Sequence, residues 1–142
     1  MLIPHVVQTE ADKVFVNILN NQTVALSAGD FVAWNVTSPD GVRTTQPVAA
    51  TLSLIVGPAD SAIAAAAYGL AQSYGYNSAA LAINNKTTAF VGGDILIPLT
   101  GTDHVSYSGA SDGKSGFVFA AQTFVTDTTV GALTKKVFLK CM

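Results

Sequence analysis

Charge is what this sequence has least of. Asp, Glu, Lys and Arg make up 11% of its 142 residues, against roughly 25% in an ordinary soluble domain, and Glu10 is the one glutamate. A free monomer relies on surface charge to stay dissolved. The shortage therefore points to a surface covered in an assembly, or faced with neutral Thr, Ser, Asn and Gln. The net charge of -2 and the scattered basic residues, of which only Lys135 and Lys136 are adjacent, exclude nucleic acid as the expected partner.

Groups for chemistry are scarce as well. One cysteine, Cys141, excludes an internal disulfide and fits synthesis in a reducing cytoplasm. Two histidines, His5 and His104, without a cysteine cluster do not supply the three or four ligands of a metal site. Ser106, His104 and Asp103 contain the residue types of a catalytic triad, but near neighbours on a strand point to opposite faces. Asp30, Asp40, Asp94 and Asp112 each adjoin a glycine, so a turn role is expected for all four. Neither an enzyme nor a cofactor is expected. Trp34, Tyr68, Tyr74 and Tyr76 are the residues for a sugar-stacking platform, with core or interface packing as the plainer role.

Targeting signals are equally sparse. Residues 1–13, "MLIPHVVQTEADK", carry no basic region followed by a long apolar core, so no secretory signal is expected. They read as an arm ahead of a single β domain over residues 14–142. Leu2, Ile3, Pro4, Val6 and Val7 make that arm too apolar to stay in water, so contact with a neighbouring subunit is expected. The uncharged stretch over residues 61–85 is interrupted by Gly69, Gln72, Gly75, Asn77, Asn84 and Asn85, so no membrane span is expected. Sequons at Asn21, Asn35 and Asn85 are a by-product of a composition rich in Asn and Thr.

One stretch imitates a nucleotide site. In "SGASDGKSG", residues 108–116, Gly113, Lys114 and Ser115 match the end of a phosphate-binding loop. The leading glycine falls at Gly109, one position late, and "FVFAAQTFV" follows where a helix should open. A turn between strands is the expected structure, with Gly113 in it.

What the chain does contain is a repeat. Residues 19–34, "LNNQTVALSAGDFVAW", align with residues 83–98, "INNKTTAFVGGDILIP", at an offset of 64, and six of the sixteen positions are identical. Chance would give roughly one. Asn20–Asn21 and Asn84–Asn85 suit two-residue hairpins, because Asn tolerates positive φ. Gly29–Asp30 and Gly93–Asp94 suit a second tight turn, with glycine where φ is positive. Each copy then reads as strand, hairpin, strand, turn, strand, and two copies give about six strands. Between them, "AIAAAA" over residues 62–67 has a helical composition, but from Tyr68 the period is two. Tyr68, Leu70, Gln72, Tyr74 and Tyr76 form a large face, and Gly69, Ala71, Ser73 and Gly75 a small one that another backbone can approach. "TSPDGV" over 37–42 is a turn, "TLSLIVG" over 51–57 a buried strand and "KKVFLK" over 135–140 a closing strand. The fold expected is all-β, a small β-barrel or sandwich with an internal repeat.

Four motifs in order, "AGDFVAW" (28–34), "AYGLAQSYG" (67–75), "GDILIP" (93–98) and "SGASDGKSGF" (108–117), resemble the small head decoration (cement) proteins of tailed bacteriophages. The resemblance covers roughly residues 28 to 140. It implies a β-rich homotrimer, made in the host cytoplasm, that sits on the capsid exterior of the virion and clamps subunits of the major capsid protein. A glycan-binding β-sandwich is the alternative from the residues alone.

Overall fold

The structure, a computed structural model, describes residues 12–49, 51–84, 89, 91–107, 117–124 and 133–141. All the regular structure among them is β. In chain order the strands are β1 (Val14–Asn20), β2 (Phe31–Trp34), β3 (Arg43–Thr45), β4 (Ile55–Pro58), β5 (Tyr68–Ile83), β6 (Ile95–Pro98), β7 (Val105–Tyr107), β8 (Val118–Ala120) and β9 (Leu133–Lys140).

They form one sheet in the order β4-β2-β3-β1-β5-β7-β6-β8-β9, and β9 also pairs with β5. That last pairing closes β5, β7, β6, β8 and β9 into a five-stranded barrel. The first half follows the same route. From β5 it passes through β1, β3, β2 and β4, and returns to β5 by a single bridge, Ala59 to Ala71. β5 is therefore shared: its first half ends one unit and its second half begins the next.

The sequence repeat is carried into the pairing register. In the first unit Val16, Asn17 and Ile18 face Ala71, Leu70 and Gly69; in the second Ala80, Leu81 and Ala82 face Lys135, Thr134 and Leu133. Every partner is displaced by the same 64 residues as the motif itself. The two turns match bond for bond. Asp30 N–H donates to Ser27 O (3.2 Å) and Asp94 N–H to Val91 O (3.1 Å). The carboxylates accept from the N–H of Ser27 (2.6 Å) and of Val91 (2.8 Å). Gly29 and Gly93 hold φ of 89° and 96°, which a side chain makes costly. Their N–H groups donate to Ala59 O (2.8 Å) and Ala120 O (2.7 Å), fastening each turn to β4 or β8.

Each unit has its own apolar interior. Ile18, Leu26, Val32, Val56, Ile63 and Ala71 pack in the first. Ala80, Ala82, Leu96, Val118, Phe124 and Val137 pack in the second, joined by Phe31, Ala33 and Ile55 from the first unit's sheet. Val32 and Leu96, or Ile18 and Ala82, are repeat equivalents that face equivalent interiors, as a period of two along each strand requires.

Two expectations need correction, and one ambiguity is resolved. Asn20 does not turn a hairpin: it ends β1 and is fully buried, and its Nδ2 donates to Val24 O (2.9 Å), Ile63 O (3.2 Å) and Ala64 O (3.2 Å). Asn84 is buried at the end of β5 and donates from Nδ2 to Phe124 O (3.3 Å), so both copies use this amide to hold a distant segment. Asn21 is exposed, and its N–H extends the β1–β3 ladder to Thr44 O; Asn85 lies outside the described residues. Second, residues 62–67 form no helix. The carbonyls of Ile63 and Ala64 are taken by Asn20, and Ile63 bridges Leu26, so tertiary bonds override alanine's helix propensity. Third, the strand expected over 51–57 begins only at Ile55, because Thr51 closes a turn with Val48 and accepts from Leu54 N–H.

Candidate assembly surface

The outward face of β5 is the large face expected from its alternation. Tyr68 is 64% exposed and Leu70 45%, while Tyr74 and Tyr76 are half-buried. β1 sets Phe15, Asn17 and Leu19 opposite Gln72, Leu70 and Tyr68, and β9 sets Phe138 opposite Tyr76. Tyr74 and Phe138 meet edge to face, with centroids 5.6 Å apart and planes at 78°. The result is an apolar stripe across three strands, with Lys136 and Lys140 two positions either side of Phe138 on β9. Among the described residues only Arg43 and Asp40 form an ion pair, at 3.2 Å, so charge does little to organise this surface.

Gln72 departs from the alternation. It is buried, and its Nε2 donates to the carbonyls of Tyr74 and Tyr76, each at 3.0 Å, while its Oε1 accepts from Asn77. The side chain thus folds back along its own strand, around Gly75. On the small face Gly75 (φ 96°) lies against the backbone of Asp12 and Lys13, and Gly57 backs onto the Gln72 carbonyl. Close backbone approach at small residues is thereby seen directly. The described chain starts at Asp12 beside the stripe, and Leu2, Ile3, Pro4, Val6 and Val7 lie outside the described residues, as does Gly113 with the loop around it.

A second cluster was not anticipated from sequence. Asp30, Asp103 and His104 come together where the first unit's turn meets the second unit's loop, and Phe31 N–H donates to Asp103 O (2.7 Å). Burial raises the carboxyl pKa of Asp30, and burial plus the Asp30 charge raises that of Asp103, to which Gln46 is hydrogen-bonded. Burial also lowers the His104 pKa, against the attraction of both carboxylates. Ser106 is buried within β7, two residues beyond His104. Among the described residues no group of three His, Cys, Asp or Glu is placed to hold a metal.

A groove of about 440 Å³ lies between the units, lined by Ala49, Leu52, Ile55, Leu96, Pro98 and Phe117 among others. Among the described residues its lining carries no titratable side chain. Cys141 is half-buried, and burial pushes its thiol pKa up to about 12. No helix among the described residues is long and apolar enough to cross a membrane. No protein-family model and no curated protein matches the chain.

Proposed function

We propose that the protein is a capsid decoration (cement) protein. It binds the outside of a tailed-phage head as a homotrimer and stabilises the head by clamping neighbouring major capsid subunits. The observation that carries this reading is the exposed apolar stripe over β1, β5 and β9 on a chain of which only 11% is charged. A contiguous stripe of this kind is an interaction surface rather than a monomer's skin. The four motifs that resemble cement proteins supply the partner and the number three.

The mechanism is multivalent. Once one protomer of a trimer is seated, the other two bind at high effective concentration, so each contact can be modest. Bound protein then favours the intact head by mass action. Heads stripped of the protein are expected to release DNA at a lower temperature and to recover when it is added back. Leu70→Glu combined with Phe138→Glu should remove that rescue, while the isolated variant stays folded and loses only the Tyr74–Phe138 ring contact, about 1 kcal/mol. Full rescue by the double variant would show that the stripe is not the contact.

Exposure of the Tyr68 ring favours one second reading, a glycan-binding module, since a flat aromatic face suits a pyranose ring. Binding to a glycan array that Tyr68→Ala abolishes, without any binding to heads, would favour it.

A further inference from the structure

Inside the chain the two units are joined by a specific contact. The first unit's turn lies on the edge of β5: Leu81 N–H donates to Gly29 O (3.1 Å), and a Cβ at Gly29 would run into the Ala79 carbonyl. β7 pairs with β5 only at Ala82 and Ile83, which leaves this stretch of edge open for the turn.

The repeat reproduces both halves of that contact at the ends of the chain. Leu81 and Ala79 correspond to Asn17 and Phe15 on β1. β3 pairs with β1 only at Leu19 and Asn20, so the equivalent stretch of β1 edge is uncovered among the described residues. The N–H groups of Leu19 and Asn21 donate to Val42 and Thr44 on that side. By the alternation of a strand the Asn17 N–H projects to the same side, and Asn17 is exposed. At the other end, Gly93 makes the same internal turn as Gly29, yet open space lies where Gly29 meets β5. Among the described residues, therefore, one chain carries a turn and an edge without the partners that are joined at its centre.

The side chains at these ends differ from those at the centre in a consistent way. Ser27 and Ala79 of the internal contact are replaced by Val91 and Phe15, which are 54% and 39% exposed. Large apolar residues stand at both free halves, where burial would be gained only by contact with another molecule.

We propose that copies of this chain join head to tail, the Val91–Asp94 turn of one docking on the Phe15–Asn17 edge of β1 in the next. The interface is heterologous: it closes into a ring or continues as a filament according to the rotation between copies. It deepens the oligomer of the proposed function by naming its surfaces. It rests on the repeat, so it is tested in solution without capsids, and its failure would leave capsid binding to stand or fall by the rescue experiment.

Sedimentation equilibrium on the full chain should give a mass above one chain for the wild type and one chain for Phe15→Glu or Val91→Glu alone. An equimolar mixture of the two variants should give two chains, because the intact turn of Phe15→Glu fits the intact edge of Val91→Glu and each complex is capped at both ends. A symmetric contact between like surfaces does not behave in this way. A monomeric wild type, an oligomer that survives either substitution, or a mixture that stays at one chain overturns the proposal. If a charged variant fails to fold, Phe15→Cys with Val91→Cys in one chain gives a second readout. In a Cys141→Ser background, oxidation should produce disulfide-linked multimers, and a single-chain band alone overturns the proposal.

Discussion

Replacing Asn20 with alanine is expected to lower the thermal midpoint by on the order of 10 °C, from a loss of about 3 kcal/mol. The Asn20 amide is fully buried and its Nδ2 holds the carbonyls of Val24, Ile63 and Ala64, while its Oδ1 accepts from Gln22 N–H (3.0 Å). Truncation removes these bonds, while Ile63 O keeps the Leu26 N–H (2.8 Å) and Ala64 O the Ala67 N–H (3.2 Å), so the loss is that of the amide's own bonds at about 1 kcal/mol each. Asn84→Ala should be destabilising for the same reason through Phe124. Asn21→Ala is the control. Its side chain is exposed, so a change within about 0.5 kcal/mol is expected by thermal or denaturant unfolding. Equal effects at Asn20 and Asn21 would mean that the pair acts as a hairpin apex after all.

Gly29→Ala should cost more than Gly93→Ala, although the two residues occupy the same turn. Both sit at positive φ, 89° and 96°, where a Cβ costs roughly 1 to 2 kcal/mol by itself. At Gly29 the added atom also meets the Ala79 carbonyl, so the turn must lift from β5 and lose the bond from Leu81 N–H, about 1 kcal/mol more. The expected totals are about 2.5 kcal/mol against about 1.5 kcal/mol, read from denaturant midpoints at constant slope. Indistinguishable midpoints would show that the first unit's turn does not bear on β5.

These two predictions mark what the residues reveal locally and what they hide. Gly29–Asp30 and Gly93–Asp94 are legible because the requirement is local: positive φ calls for glycine, and the carboxylate bonds an N–H three residues back. Asn20 and Asn84 are misread because the same amide suits a hairpin apex, whereas its real partners lie about forty residues away, a separation no local pattern carries. A signal was present in the repeat. The first Asn of each pair directly follows an apolar strand of alternating period, which places it facing inward in both copies. The alternation of β5 shows its outward face correctly, yet nothing in residues 68–83 announces that one strand serves two units. β3 and β7 are three residues each, too short for any periodicity to register. Of the proposed contact surfaces, Tyr68 and Leu70 follow from the alternation, while Phe15 and Val91 gain their meaning only from the uncovered edge and the free turn.

Electron cryomicroscopy of stripped heads incubated with the full chain tests the central claim most directly. The account predicts added density on the capsid exterior, of three chains around each three-fold position, with the Tyr68, Leu70 and Phe138 part of the stripe against the major capsid subunits. Heads that gain no density at saturating protein, or gain it on their inner surface, would contradict it.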